Sequence, residues 1–275
     1  MRIAAIFLDL DGTLLTSSKE ISRRNYEALR RAHESGAYIV PATGRFLGGI
    51  PETVRALPFV RYFVASNGAD IYDSLEQKTL FRAEIPIHQA EEVFDVLDTL
   101  PVIYDCFMHS SAYISRDHYQ RLDQYIRDPH ALEMLRRLRR PVEDLRSFLR
   151  SEGKPLQFIQ MFFNDPAARL AALERMPEQF PALHVTTSMA YNVEINAKDA
   201  DKGQALRRLC GHLGISPVDT AAFGDSSNDK EMLEAAGIGV AMENGDPALR
   251  QIADRVAPAN DADGVAAVLE ELFPA

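Results

Sequence analysis

The chemistry-bearing residues of this chain gather in short clusters at the ends of apolar runs. The first is Asp9-Leu10-Asp11-Gly12-Thr13-Leu14-Leu15, which closes the run Ile3–Leu8. Residues two apart in an extended chain face the same way, so Asp9 and Asp11 can look into one crevice while Gly12 lets the chain turn aside. Asp, Gly and Thr are also common turn residues, so a solvated turn is the competing reading. A carboxylate with an ordinary pKa of ~3.9 is ionised at neutral pH, which allows Asp9 to act as a nucleophile without an activating base. Further clusters are Thr43-Gly44-Arg45, Ser66-Asn67-Gly68, Lys202-Gly203 and Gly224-Asp225-Ser226-Ser227-Asn228-Asp229. Each alone could be a cap or a turn. Their shared position at strand ends points to a site, because ligands of open parallel sheets bind beyond the carboxyl ends of the strands.

Charge decides what such a site needs. Asp9, Asp11, Asp225 and Asp229 sum to −4 when all are ionised, and a phosphomonoester brings about −1.5 to −2 more. A divalent cation on hard oxygen ligands at Asp9, Asp225 and Asp229 would remove much of that repulsion, and Mg²⁺ suits a site that keeps waters and a substrate oxygen. Lys202 adds one positive charge. Asp11, crowded by like charges, is expected to have a raised pKa, which suits an acid for the leaving alcohol and a base for the hydrolytic water.

The elements that must position these residues alternate. Strands are expected at 3–8, 37–42 and 61–66, with helices at 22–35, where Ser22 can cap, and at 51–57. After Lys202 the alternation returns, with helices at 203–212, 229–236, 247–253 and 264–272 and strands at 220–223 and 238–242. This is the pattern of a parallel sheet covered on both faces. Between them the grammar is α+β: a hairpin at 69–73 and 78–83, then strands at 102–107, 112–115, 156–163, 184–187 and 191–195 among helices. The expected fold is α/β, a discontinuous core at 1–83 and 191–275 interrupted by an α+β domain at 84–190.

Taken together, the motifs Asp9–Thr13, Thr43–Arg45, Lys202–Gly203 and Gly224–Asp229 resemble those of the haloacid dehalogenase-like (HAD) superfamily, in particular its Cof-type phosphatases. The resemblance covers the core and the tail Asp263-Gly264-Val265-Ala266, and departs at Glu243–Asp246, where the family more often has an Asn-Ala pair. It implies a Rossmann-like HAD core with an inserted cap that selects substrate, and hydrolysis of small phosphorylated metabolites through an aspartyl-phosphate. It implies Asp9 as nucleophile and Asp11 as acid/base that also gives its backbone carbonyl to Mg²⁺. Thr43 and Lys202 would hold phosphoryl oxygens and Asp225 and Asp229 the metal, with Gly44, Arg45, Asn67 and Asn228 as further substrate contacts. A phosphomutase with the same first half-reaction and a non-enzymatic phospho-aspartate switch are the alternatives, though a receiver domain is only ~120 residues with no insertion.

Composition narrows the remainder. The chain has 275 residues, with 40 acidic against 30 basic side chains and a net charge of −10, which disfavours nucleic-acid phosphates as partners. Cys106 and Cys210 are expected to be reduced packing residues. No apolar run approaches the ~18 residues of a membrane span. With no leader after Arg2, the expected location is the cytoplasm, with no membrane and no obligate protein partner. The run Arg136, Arg137, Arg139 and Arg140 reads as a solvated helix face. Tyr104, Asp105, His109, Tyr113, Asn192 and Glu194 could reach the cleft, yet aromatic and polar residues on antiparallel strands usually cover a sheet face.

Overall fold

The computed structural model describes residues 3–109 and 111–274; Arg2 lies outside them. The chain forms two compact units, one made of the chain up to Arg82 and from Asp201 onward, the other of Ala83–Ala200. In the first unit, β1 (Ala5–Leu8), β2 (Tyr38–Pro41) and β3 (Tyr62–Ala65) precede an antiparallel extension of β3 by β4 (Asp70–Asp73) and β5 (Lys78–Arg82). Between β1 and β2 runs the helix Arg23–Glu34, whose cap Ser22 accepts a 3.0 Å bond from the Asn25 amide. Asn25, Ala28, Leu29 and Ala32 recur at helical spacing and form its buried stripe.

The inserted unit contains β6 (Val102–Met108), β7 (Ser111–Ser115), β8 (Arg139–Val142), β9 (Phe158–Phe163), β10 (Leu183–Thr186) and β11 (Asn192–Ala197). They form one sheet in the order β10-β11-β9-β6-β7-β8. Strand alternation gives it two unlike faces. Cys106, Ile159, Met161, Val193 and Ile195 join an apolar cluster with residues of the helices Ile87–Leu97, Leu145–Glu152 and Pro166–Gln179. The register places Asp105, Gln160 and Glu194 side by side on the opposite face. Two expectations change here. The second boundary falls ten residues later than 190/191, because β11 pairs antiparallel with β9 and β10 and so belongs to this sheet. Nor is the arginine run one solvated helix face. The helix ends at Leu138, and Arg139 opens β8, buried, its guanidinium 2.8 Å from the fully buried Asp105 and 2.7 Å from Gln160 Oε1. A buried carboxylate needs a paired cation, and that demand overrides the local polar pattern.

The chain re-enters the first unit through the helix Lys202–Leu213, followed by β12 (Thr220–Gly224), β13 (Ile238–Met242) and β14 (Arg255–Ala257). The parallel sheet runs β14-β13-β12-β1-β2, and β3 lies beside β2, the two linked at their ends by the bridges Ile39–Val60 and Ala42–Val64. Both faces are buried, as a fully parallel sheet requires. Ile6 and Leu8 of β1 join a cluster with residues of the helices Arg23–Glu34 and Gly264–Leu272. Ala5 and Phe7 point the other way, into a cluster with Leu206, Leu209 and Met232. The edge strand β14 escaped sequence reading because only three residues form it and two are exposed. Cys106 and Cys210 are free and buried. Among the described residues no helix is long and apolar enough to cross a membrane.

Candidate active site

Every strand-end cluster of the proposed site sits in the first unit, at or just past the carboxyl end of a strand or at the start of the helix Lys202–Leu213. Asp9 follows β1, and its amide bonds Phe223 of the neighbouring β12. At the turn that follows, Gly12 has φ +85°, and a Cβ there would stand 2.6 Å from Asp225 Oδ2, so both conformation and space call for glycine. Thr13 Oγ1 donates to Asp225 Oδ1 at 2.8 Å, tying the loop after β1 to the loop after β12.

The centre of the site is Lys202, fully buried, with Nζ 2.7 Å from Asp9 Oδ1 and 2.6 Å from Asp229 Oδ1. The other Asp229 oxygen accepts from the amides of Asp225 (2.9 Å) and Ser226 (3.0 Å), which locks that side chain. Burial pushes the Asp9 carboxyl up, and Asp229 and Asp225 push it further, against the pull of Lys202. Burial and the neighbouring Asp229 likewise push Asp225 up to about 6. One lysine therefore leaves the cluster short of positive charge.

Asp9, Asp225 and Asp229 each present a carboxylate oxygen, all within 4.8 Å of one another. Three converging hard oxygens, two of them on carboxyls whose ionised form is disfavoured, fit a small divalent cation. The Asp11 side chain stands apart from that group. Arg45 grips it with Nε at 2.6 Å and Nη2 at 2.9 Å, and Lys19 Nζ adds a bond at 2.7 Å. The raised pKa expected for Asp11 is therefore reversed. Burial alone would raise it, yet Arg45 and Lys19 hold it down at about 2. Counting carboxylates missed the two cations that fold over this one.

Thr43 is buried beyond β2, its Oγ1 accepting from the Arg45 amide at 3.1 Å. Asn67 and Asn228 are joined by a 2.9 Å bond from Asn228 Nδ2 to Asn67 Oδ1, and Gly44 lies against that same oxygen. Sequence reasoning overlooked several bracing residues. Asn244 donates to the Gly12 carbonyl at 2.8 Å, the Asp246 amide bonds the Asp225 carbonyl at 2.7 Å, and Asn260 reaches the Leu15 carbonyl at 2.8 Å. Asn244 and Asp246 belong to the segment Glu243–Asp246 that departs from the family pattern, and that segment directly follows β13, another strand end.

A Rossmann-like parallel sheet with acidic loops at its carboxyl edge, interrupted by an α+β insertion, defines the architectural class. Comparison with known proteins supplies the family: a model of haloacid dehalogenase-like hydrolases matches residues 6–269, and the chain belongs to that family. The phosphatase YwpJ of Bacillus subtilis is 33% identical, the alignment covering 98% of this chain and 99% of the relative. The pyridoxal phosphate phosphatase YbhA of Escherichia coli is 30% identical over 97% of both chains. Among solved structures, a haloacid dehalogenase-like hydrolase from B. subtilis superimposes with a TM-score of 0.83 at 31% identity, covering 98% of this chain and 99% of that one. Subclass IIB sugar phosphatase BT4131 shares the fold, with a TM-score of 0.81 at 21% identity. The protein is an enzyme, a phosphoric monoester hydrolase of the HAD type.

Proposed function

We propose that this chain hydrolyses small phosphorylated metabolites, sugar phosphates or phosphorylated cofactors, by a Mg²⁺-dependent route through an aspartyl-phosphate on Asp9. The observation that carries the reading is the buried Lys202 bonded to both Asp9 and Asp229, with Asp225 completing the cluster of converging oxygens. Asp9 Oδ attacks phosphorus as the bond to the leaving alcohol breaks, and the alcohol oxygen takes a proton from Asp11. Water then gives its proton to Asp11 and attacks the same phosphorus, releasing inorganic phosphate and freeing Asp9. With Asp11 held ionised by Arg45 and Lys19, the arrangement described above is the basic form used in the second step. The acid form requires those cations to be drawn onto the incoming phosphate. Mg²⁺, held by Asp9, Asp225, Asp229 and the Asp11 carbonyl, would neutralise the carboxylates against the dianion. Thr43, Lys202, Gly44, Arg45 and Asn228 would surround the phosphoryl oxygens. Positioning and charge supply most of the catalysis in such transfers.

The relatives' names favour this substrate range, since one acts on pyridoxal phosphate and another, 28% identical, on 5-amino-6-(5-phospho-D-ribitylamino)uracil. The test is phosphate release from para-nitrophenyl phosphate with Mg²⁺. Asp9→Asn and Asp11→Asn should each nearly abolish it, and chelation should do so reversibly. A screen of phosphorylated metabolites then ranks leaving groups. Activity retained in Asp9→Asn, or isomeric phosphates as the products in place of inorganic phosphate, refutes the assignment.

A further inference from the structure

Beyond β3 the backbone does something costly. Ser66, Asn67 and Gly68 have φ of 53°, 54° and 94°, three left-handed residues in succession, of which only the last is glycine. Asn tolerates this region and Ser does so poorly, which strains the backbone. Ser66 Oγ is also buried with no hydrogen-bond partner among the described residues. Such a turn persists only where its surroundings over-determine it.

Its surroundings are the loops of the candidate site. The Ser66 amide bonds the Arg45 carbonyl at 2.9 Å, and the Asn67 amide bonds the Thr43 carbonyl at 3.1 Å. Asn67 Oδ1 accepts from Asn228 Nδ2 at 2.9 Å, reaching the loop after β12. Gly68 lies against the chain at Asp201 and Lys202: a Cβ there would stand 2.3 Å from the Asp201 carbonyl oxygen and 3.1 Å from the Lys202 nitrogen. One three-residue turn thus touches the Thr43–Arg45 loop, the Asn228 loop and the start of the lysine helix. A right-handed turn would aim the two amides elsewhere, and a larger residue at 68 would displace the backbone that carries Lys202.

We propose that the Ser66–Gly68 turn is a positioning element for phosphoryl transfer, and that the Asn67 side chain acts by orienting Asn228. The inference rests on the phosphatase reading above. It gives Asn67 a different role from a direct substrate contact. Preorganisation of this kind is expected to affect turnover more than binding, since small displacements of oriented groups can cost ~10²-fold in rate.

The test is a double-mutant cycle with para-nitrophenyl phosphate and Mg²⁺. Asn67→Gly keeps the left-handed backbone accessible and removes only the side chain, so the variant should fold with a melting temperature near that of the wild type. Its kcat should fall about 10- to 100-fold with KM within about threefold. Added to Asn228→Ala, it should lower kcat no further, because the two side chains act as one unit. Additive losses in the double variant, a change confined to KM, or an unchanged kcat in Asn67→Gly overturn the positioning role while leaving an active wild type and the phosphatase reading intact. An inactive wild type overturns both.

Discussion

Replacing Lys202 by methionine keeps the length of the side chain and deletes its charge from between Asp9 and Asp229, where Nζ stands 2.7 Å and 2.6 Å from the two carboxylates with no exposure to solvent. At an effective dielectric of 20 each contact is worth about 6 kcal/mol of gross Coulomb energy, most of it spent against desolvation. Breaking a buried pair by removing one partner costs about 3–5 kcal/mol net. For a domain of this size, about 2–4 °C per kcal/mol, the expected loss in melting temperature is roughly 6–20 °C. Acid should reduce the deficit. Without Lys202 the main influence lowering the Asp9 pKa is gone, so its folded-state value rises further above the unfolded one. The folded variant then binds more protons than the unfolded chain, and its stability falls as pH rises above about 4. Melting curves of wild type and Lys202→Met without added metal should lie closest at pH 5 and furthest apart at pH 8. Turnover should drop about 10²- to 10³-fold, the usual cost of removing one preorganised group that meets transition-state charge. A variant that melts with the wild type at every pH and turns over at its rate would show that this lysine neutralises nothing.

Three further outcomes follow from the same geometry. Mg²⁺ should raise the wild-type melting temperature by the equivalent of about 2.7 kcal/mol at one hundred times its dissociation constant. In Asp225→Asn that rise should shrink or vanish, and an equal rise in both proteins excludes Asp225 as a ligand. Arg45→Gln removes the strongest of the influences that hold Asp11 at about 2. Since a depressed carboxyl stabilises above its unfolded pKa and loses that contribution as pH falls through the folded one, variant and wild type should differ most near neutrality and converge towards pH 2 to 3; a constant gap across that range, read by thermal melting, contradicts the assignment. Arg139→Met strands the buried Asp105 and should cost about 3–5 kcal/mol, felt within the inserted unit. Hydrogen exchange should accelerate across β6, β8 and β9 while β1 and β12 keep their protection, and protection unchanged in β6 would count against the pair.

The strand-end clusters were legible because their chemistry is local: an apolar run, then a carboxylate, hydroxyl or cation where a parallel sheet opens. What escaped depends on partners distant in sequence. Lys19 and Arg45 reach Asp11 from 8 and 34 positions away, so the direction of its pKa could not be had from the acidic motif alone. Arg139 looked like one of four solvated arginines until strand pairing set it beside Asp105, again 34 positions away. The membership of β11 was hidden for the same reason, because an amphipathic strand does not announce which sheet it will join. Asn244 and Asn260 act through main-chain carbonyls, and side chains that only brace a loop leave no compositional mark.

Asp201 caps the helix that begins with Lys202, accepting from the Gln204 amide at 2.7 Å, and Asp201 is also the first residue of the chain after the insertion. The lysine is therefore secured by its own helix start and by Gly68. Each of these anchors belongs to the first unit, so the lysine is placed by the same compact body that carries Asp9 and Asp229.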